Sequence, residues 1–141
     1  LIRDKRMYGR LSGKYKRVEI FNVNHAKMVD SKYESMNAKY SSVSPIIELV
    51  YRGDRRYTFE AEYNEGHVSA ILYLDPIDPT QGTGRYQYTN KNADGKLPDI
   101  GSYQFLMDEL DPNRFYLQHK NFLPSGLAEG YEVWQRVDVS K

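Results

Sequence analysis

From about Val43 to the end of the chain, apolar or tyrosine positions alternate with polar ones in short runs cut apart by Gly, Pro, Asn and Asp. Such period-two alternation marks strands with one face buried and the other wet. Tyr57, Phe59, Ala61 and Tyr63 alternate with Thr58, Glu60 and Glu62, the cleanest of these runs. The next, His67 to Leu74, places Val68, Ala70, Leu72 and Leu74 on one face and Ile71 and Tyr73 on the other, so it reads as covered on both sides. Further strands are expected over Tyr8–Asn22, Ile46–Arg52, Thr83–Asn90, Gly101–Leu110, Phe115–Phe122 and Tyr131–Val139. Only Val23–Ser42 departs from the pattern. There Met28, Val29, Tyr33, Met36 and Tyr40 fall at helix-like spacing, which allows one short helix or a crossing segment.

The punctuation supports this reading. Arg52-Gly53-Asp54-Arg55, Asn64-Glu65-Gly66 and Pro124-Ser125-Gly126 are turn chemistry. Asp75-Pro76-Ile77-Asp78-Pro79 is a rigid loop, because each proline fixes its own backbone and restricts the residue before it. Neighbour-to-neighbour pairing of seven or eight strands predicts an all-β, compact antiparallel up-and-down barrel with at most one short helix. Closing the sheet on itself removes the exposed edges it would otherwise have to protect.

Composition narrows the functional classes. The 141 residues suit one domain with a single core. Tyrosine supplies 13 of the aromatic side chains, against 5 Phe and 1 Trp; it fits half-buried sheet faces and stacks on planar ligands while offering a hydroxyl. There is no cysteine, which rules out disulfides and thiolate metal sites and points to a reducing compartment. The net charge of +1 hides an asymmetry: Arg3, Lys5, Arg6, Arg10, Lys14, Lys16 and Arg17 at the start oppose only Asp4, and the remainder is mildly acidic. That is not the charge distribution of a nucleic-acid-binding face. A solvated terminal arm is the plain reading of the basic stretch. With Leu1 rather than Met at the start, it also fits the cytoplasmic edge of a membrane helix lying outside this sequence.

Tests for catalytic chemistry come back empty. His25, His67 and His119 have no spacing that would hold a metal. Glu60 and Glu62 share a wet strand face and read as a solvated pair rather than an acid–base couple. Gly82-Thr83-Gly84-Arg85 precedes a strand, not the helix a phosphate loop needs, and no Gly-X-Ser-X-Gly elbow occurs. No catalytic residue, metal or cofactor is expected. What recurs instead is cation, aromatic and amide side chains on the later strands. Arg85, Tyr86 and Tyr88, then Tyr103, His119 and Asn121, then Trp134 and Arg136 are the candidate ligand-binding residues. Rings and guanidinium planes stack on bases, and Arg holds phosphate oxygens. The competing reading is ordinary sheet dressing, with tyrosines in the core and arginines outside.

Gly84-Arg85-Tyr86-Gln87-Tyr88, Gly101-Ser102-Tyr103-Gln104-Phe105 and Ala128-Glu129-Gly130-Tyr131-Glu132-Val133-Trp134-Gln135-Arg136, with the opening Leu11-Ser12-Gly13-Lys14-Tyr15, carry a family likeness. Together they resemble the cyclic-dinucleotide receptor domain of the two-transmembrane, β-strand-rich effectors of bacterial antiphage signalling operons (CBASS). The resemblance implies a lipocalin-like barrel of eight strands over 10–141, preceded by a basic juxtamembrane segment over 1–9. It also implies an effector at the cytoplasmic face of the inner membrane, with two N-terminal membrane helices outside this sequence. On binding a cyclic dinucleotide such an effector self-associates and disrupts that membrane, killing the infected cell; it engages no DNA or RNA polymer. Two other expectations stand beside this one. A carrier of a small apolar molecule would need an interior of Leu, Ile and Phe without charges. A protein interaction module would have a filled barrel and use its surface.

Overall fold

In a computed structural model the chain is a closed antiparallel barrel of eight strands. The structure describes residue 6 and residues 8–22, 46–62, 66–90, 98–123 and 126–137. The strands are β1 (Gly13–Asn22), β2 (Ile46–Gly53), β3 (Arg56–Glu62), β4 (Gly66–Leu74), β5 (Gln81–Asn90), β6 (Asp99–Met107), β7 (Arg114–Leu123) and β8 (Gly126–Arg136). Each pairs with the next, and β8 returns to β1, as the meander pattern predicts. A short 3-10 turn at Gly9–Leu11 precedes β1. The helix-like Val23–Ser42 stretch lies outside the described residues.

Several expected boundaries move, each for a local reason. Tyr8–Leu11 is not strand, because it turns across the barrel end with Leu11 only 2% exposed. The strand expected to reach Leu110 stops at Met107: Asp108 Oδ1 accepts from the N–H groups of Leu110 and Asp111 at 2.8 and 2.9 Å, which bends the chain. β8 starts at Gly126 rather than Tyr131, since its small and polar opening residues are held by ladder bonds to β7 rather than by an alternating pattern. On β4, Tyr73 is exposed, so that strand is buried on one side only.

The alternation sends one aromatic set inward. Phe115 is fully buried, with Tyr15 edge-on at 4.8 Å, Phe105 at 5.4 Å and Trp134 stacked at 6.3 Å between ring centroids. Tyr86 lies 4.7 Å from Tyr103, which in turn stacks on Phe59 at 6.4 Å. Two glycines make room for rings of this size. Gly101 is the cross-strand partner of Tyr86, and a Cβ there would run into the Tyr86 ring; at Gly66 one would run into Tyr88. Large rings paired with absent side chains let a small barrel close around an aromatic interior.

One ion pair sits inside that interior. Glu132, Trp134 and their β7 partners Leu117 and Phe115 face inward, and Arg17 lies opposite Trp134 on β1. Arg17 Nη1 donates to Glu132 Oε2 and Trp134 Nε1 donates to Oε1, each at 3.2 Å. Both carboxylate oxygens are therefore satisfied, which a buried charge requires. The register slips between Arg17 and Glu19, leaving Val18 44% exposed as the extra residue of a bulge. The solvated arm expected of the basic start thus ends before Arg17, which is drawn into the barrel.

The barrel end carrying the β2–β3, β4–β5 and β6–β7 turns is plugged by the 3-10 turn. The Tyr57 hydroxyl donates to the Tyr8 carbonyl and accepts the Leu11 N–H at 3.1 Å; burial pushes its pKa up to about 12. Tyr15 donates to the Leu11 carbonyl at 2.9 Å. The β2–β3 hairpin needs left-handed backbone at Asp54 (φ 52°) and Arg55 (φ 63°). Arg55 is held there by its side chain, whose Nη1 donates to the Leu74 carbonyl at 2.8 Å.

Candidate ligand groove on the outer wall

The expected ligand residues fall in different places. Tyr86, Tyr88, Tyr103 and Trp134 point into the packed interior and are at most 7% exposed. Tyr86 and Tyr103 are in contact with each other there, and Trp134 with Phe115. Arg136 closes the plugged end: it donates to the carbonyls of Ser12 and Arg10 at 2.6 and 2.9 Å and to Asn113 Oδ1 at 3.0 Å, with its guanidinium 4.8 Å from the Tyr15 ring centroid. Arg85 alone stands exposed on the outside. His119 and Asn121 belong to β7, opposite Gly130 and Ala128, but their side chains lie outside the described residues.

The outer wall of β5 to β8 carries a groove of about 660 Å³. Its floor follows from register. Thr83 pairs with Gln104, Gln104 with Gln118, and Gln118 with Tyr131, so four outward side chains run in one row across four strands. Gln81 pairs with Leu106 and Leu106 with Tyr116 in the neighbouring row. The Tyr116 and Tyr131 rings meet edge-on at 6.1 Å. Three amides, a threonine hydroxyl and two phenol rings on a concave wall offer hydrogen-bond donors, acceptors and a stacking surface within a volume suited to a small molecule.

Two loops stand at one end of this wall, and they share an Asp-X-X-Asp-Pro pattern. Asp75-Pro76-Ile77-Asp78-Pro79-Thr80 joins β4 to β5; Asp108-Glu109-Leu110-Asp111-Pro112-Asn113 joins β6 to β7. In the first, Asp75 Oδ1 accepts from the N–H of Ile77 and Asp78, and Asp78 Oδ1 from Thr80. In the second, Asp108 and Asp111 do the same for Leu110, Asp111 and Asn113. Each loop ends on a carbonyl, Thr80 or Asn113, that accepts the N–H of Met107 or Arg136 at 2.7 Å. Asp75 lines the groove directly; Asp108 reaches it by accepting the Tyr116 hydroxyl. Amides from Asp78 and Ile77 hold the Asp75 pKa below its ordinary value, and the Tyr116 bond does so for Asp108 while raising that of Tyr116.

Charge divides this wall along the strands. The loop end bears carboxylates, with the Arg114 guanidinium beside Asp108 and Tyr116. Two residues beyond Thr83, Arg85 pairs with Ser102, and Ser102 pairs with Lys120 on β7. Among the described residues the groove lining contains no Lys or Arg.

Sequence reasoning missed the groove because it grouped residues within each strand. Gln81, Gln118 and Tyr116 become neighbours of Gln104 only through cross-strand register. The loop repeat, by contrast, is visible by sliding the sequence over itself.

On the far side of the barrel, His67 lies between Glu60 and Glu62, with Nε2 3.4 Å from Glu60 and Nδ1 bonded to Glu62. Among the described residues no group of three His, Cys, Asp or Glu side chains is placed to hold a metal, and no helix is long and apolar enough to cross a membrane. A scan against protein-family models, a search of curated proteins and a search of solved structures each return no match.

Proposed function

We propose that this barrel is a non-catalytic receptor for a cyclic dinucleotide, taken on the outer wall of β5 to β8 rather than inside. The observation that supports the reading is the polar groove itself: an amide and tyrosine floor one row from Arg85. Bases pack on rings and read amides, while phosphate oxygens need a cation, here Arg85. Within an effector of the kind the sequence resembles, occupancy would promote self-association and act on the inner membrane through helices outside this sequence. That happens only if the ligand favours the assembled state over the free one.

Titration calorimetry with a panel of cyclic dinucleotides tests the reading. Micromolar or tighter binding is expected, weakened about tenfold or more by Arg85→Ala, the loss typical of a charge-assisted hydrogen bond. Absence of heat across the panel defeats the reading. The apolar-carrier reading loses support to the ring-filled interior and its Arg17–Glu132 pair. A protein-docking surface is the second reading, favoured by Ile77 and Leu110, which the matched loops leave 93% and 95% exposed. Loss of self-association or partner binding on Ile77→Ser with Leu110→Ser, without any nucleotide effect, would select it.

A further inference from the structure

The plugged rim of the barrel is split by charge, and strand order fixes the split. Around the closed barrel the chain start and the β2–β3 turn are neighbours, while the β4–β5 and β6–β7 loops occupy the opposite side. The first side carries Arg6, Arg10, Arg52, Arg55 and Arg56 against Asp54. The second carries Asp75, Asp78, Asp108, Glu109 and Asp111, with Arg114 beside Asp108. Among the described residues no ion pair joins the two sides. Arg10, Arg55 and Arg56 donate to backbone carbonyls and Arg52 to the Thr58 hydroxyl, so their charges stay uncompensated by any described carboxylate.

On the acidic side each loop holds one large aliphatic side chain in solvent. Ile77 and Leu110 stand just before the second Asp of the shared pattern, 93% and 95% exposed. Each donates its own N–H to the first Asp, which fixes the turn that presents it. One exposed aliphatic residue is ordinary. Two at the same position of two rigid turns, ringed by one sign of charge, mark a surface that a partner covers.

The partner that fits is carried on the same rim. Arginine stems cover aliphatic groups while their guanidinium ends meet carboxylates, and the basic side offers both. We infer that copies of this chain associate head to tail, the acidic side of one rim against the basic side of the next. Each contact uses one surface of each kind and leaves the other free, so growth is open to further copies rather than closed at two. The contact needs no ligand in the groove: it gives the exposed loop pair its occupant and stands whether or not the receptor reading holds.

Sedimentation equilibrium of the 141-residue chain is the test. Average mass should rise with concentration past that of a dimer at about 0.1 M salt. It should fall toward the monomer at about 1 M, where the screening length has dropped from about 10 Å to about 3 Å. Two variants, each checked by its melting curve, then separate the sides: Ile77→Ser with Glu109→Gln and Leu110→Ser, and Arg10→Ser with Arg52→Ser. Either alone should stay monomeric where the wild type associates. Mixed, they retain one intact pair of surfaces and should form heterodimers and nothing larger. A wild-type chain that stays monomeric up to about 1 mM, where even weak complexes form, overturns the proposal. So does a series that stops at two copies, or variants that associate as the wild type does. A strictly monomeric chain that still binds a cyclic dinucleotide keeps the receptor reading and removes this one.

Discussion

The inner and outer faces of β5 to β8 are built from the same strands, residue by alternate residue, yet they do opposite things. Inside, Tyr86, Tyr103, Phe105, Phe115 and Trp134 are packed ring against ring. Outside, Thr83, Gln104, Gln118 and Tyr131 form a wet row between the loop end and Arg85. A tyrosine is therefore no sign of a ligand site by itself. Tyr88, 2% exposed, is core, whereas Tyr131, on the other face, lines the groove. Parity within the strand decides which role the residue takes.

Substitutions can separate the two faces, and the largest effects belong inside. Phe115→Ala removes a fully buried ring that touches three others; a loss of about 3–5 kcal/mol is expected in urea denaturation. Glu132→Ala removes the carboxylate that Arg17, at 13% side-chain exposure, and Trp134 both bond, and should cost about 3 kcal/mol or more. Replacing both partners by Met and Leu should recover most of that cost, because a packed apolar pair avoids the desolvation of two buried charges. Gly101→Ala drives a methyl into the Tyr86 ring and should cost about 1–3 kcal/mol.

Titration gives a smaller signal with a definite sign. The folded Tyr57 pKa, about 12, lies above the ordinary 10.0. Its contribution is whole below pH 10 and is lost as pH rises from there through about 12, a component Tyr57→Phe should remove from alkaline melting curves. Asp75 and Asp108 are lowered from 3.8, so their contribution is present above that value and fades as pH falls below it. The smallest stability change is expected outside: Gln118→Ala should shift unfolding by no more than about 0.5 kcal/mol while weakening the ligand. A large loss of stability there would collapse the distinction between the two faces.

The architecture was legible because alternation survives in single strands: Tyr57 to Ala61 and Val68 to Leu74 announce their buried faces without help. Boundaries were harder where a side chain overrules the pattern, as Asp108 does by capping two amides just after Met107. Arg17 shares the inward parity of Tyr15, but its partner Glu132 lies across the closing seam of the barrel, which no local pattern joins to it. Nor could alternation alone say that Tyr86 and Trp134 face a filled interior, since the number of rings meeting inside is a property of closure. The groove lay furthest from reach: its floor has one residue from each of four strands, joined only by register.

Amide-resolved NMR during titration with a cyclic dinucleotide tests the central claim most directly. Shifts should gather at Thr83, Arg85, Gln104, Gln118 and Tyr131 and leave the Trp134 indole N–H unmoved. Perturbation of that indole with a quiet outer wall, or no perturbation anywhere, would contradict recognition on the outside of a filled barrel.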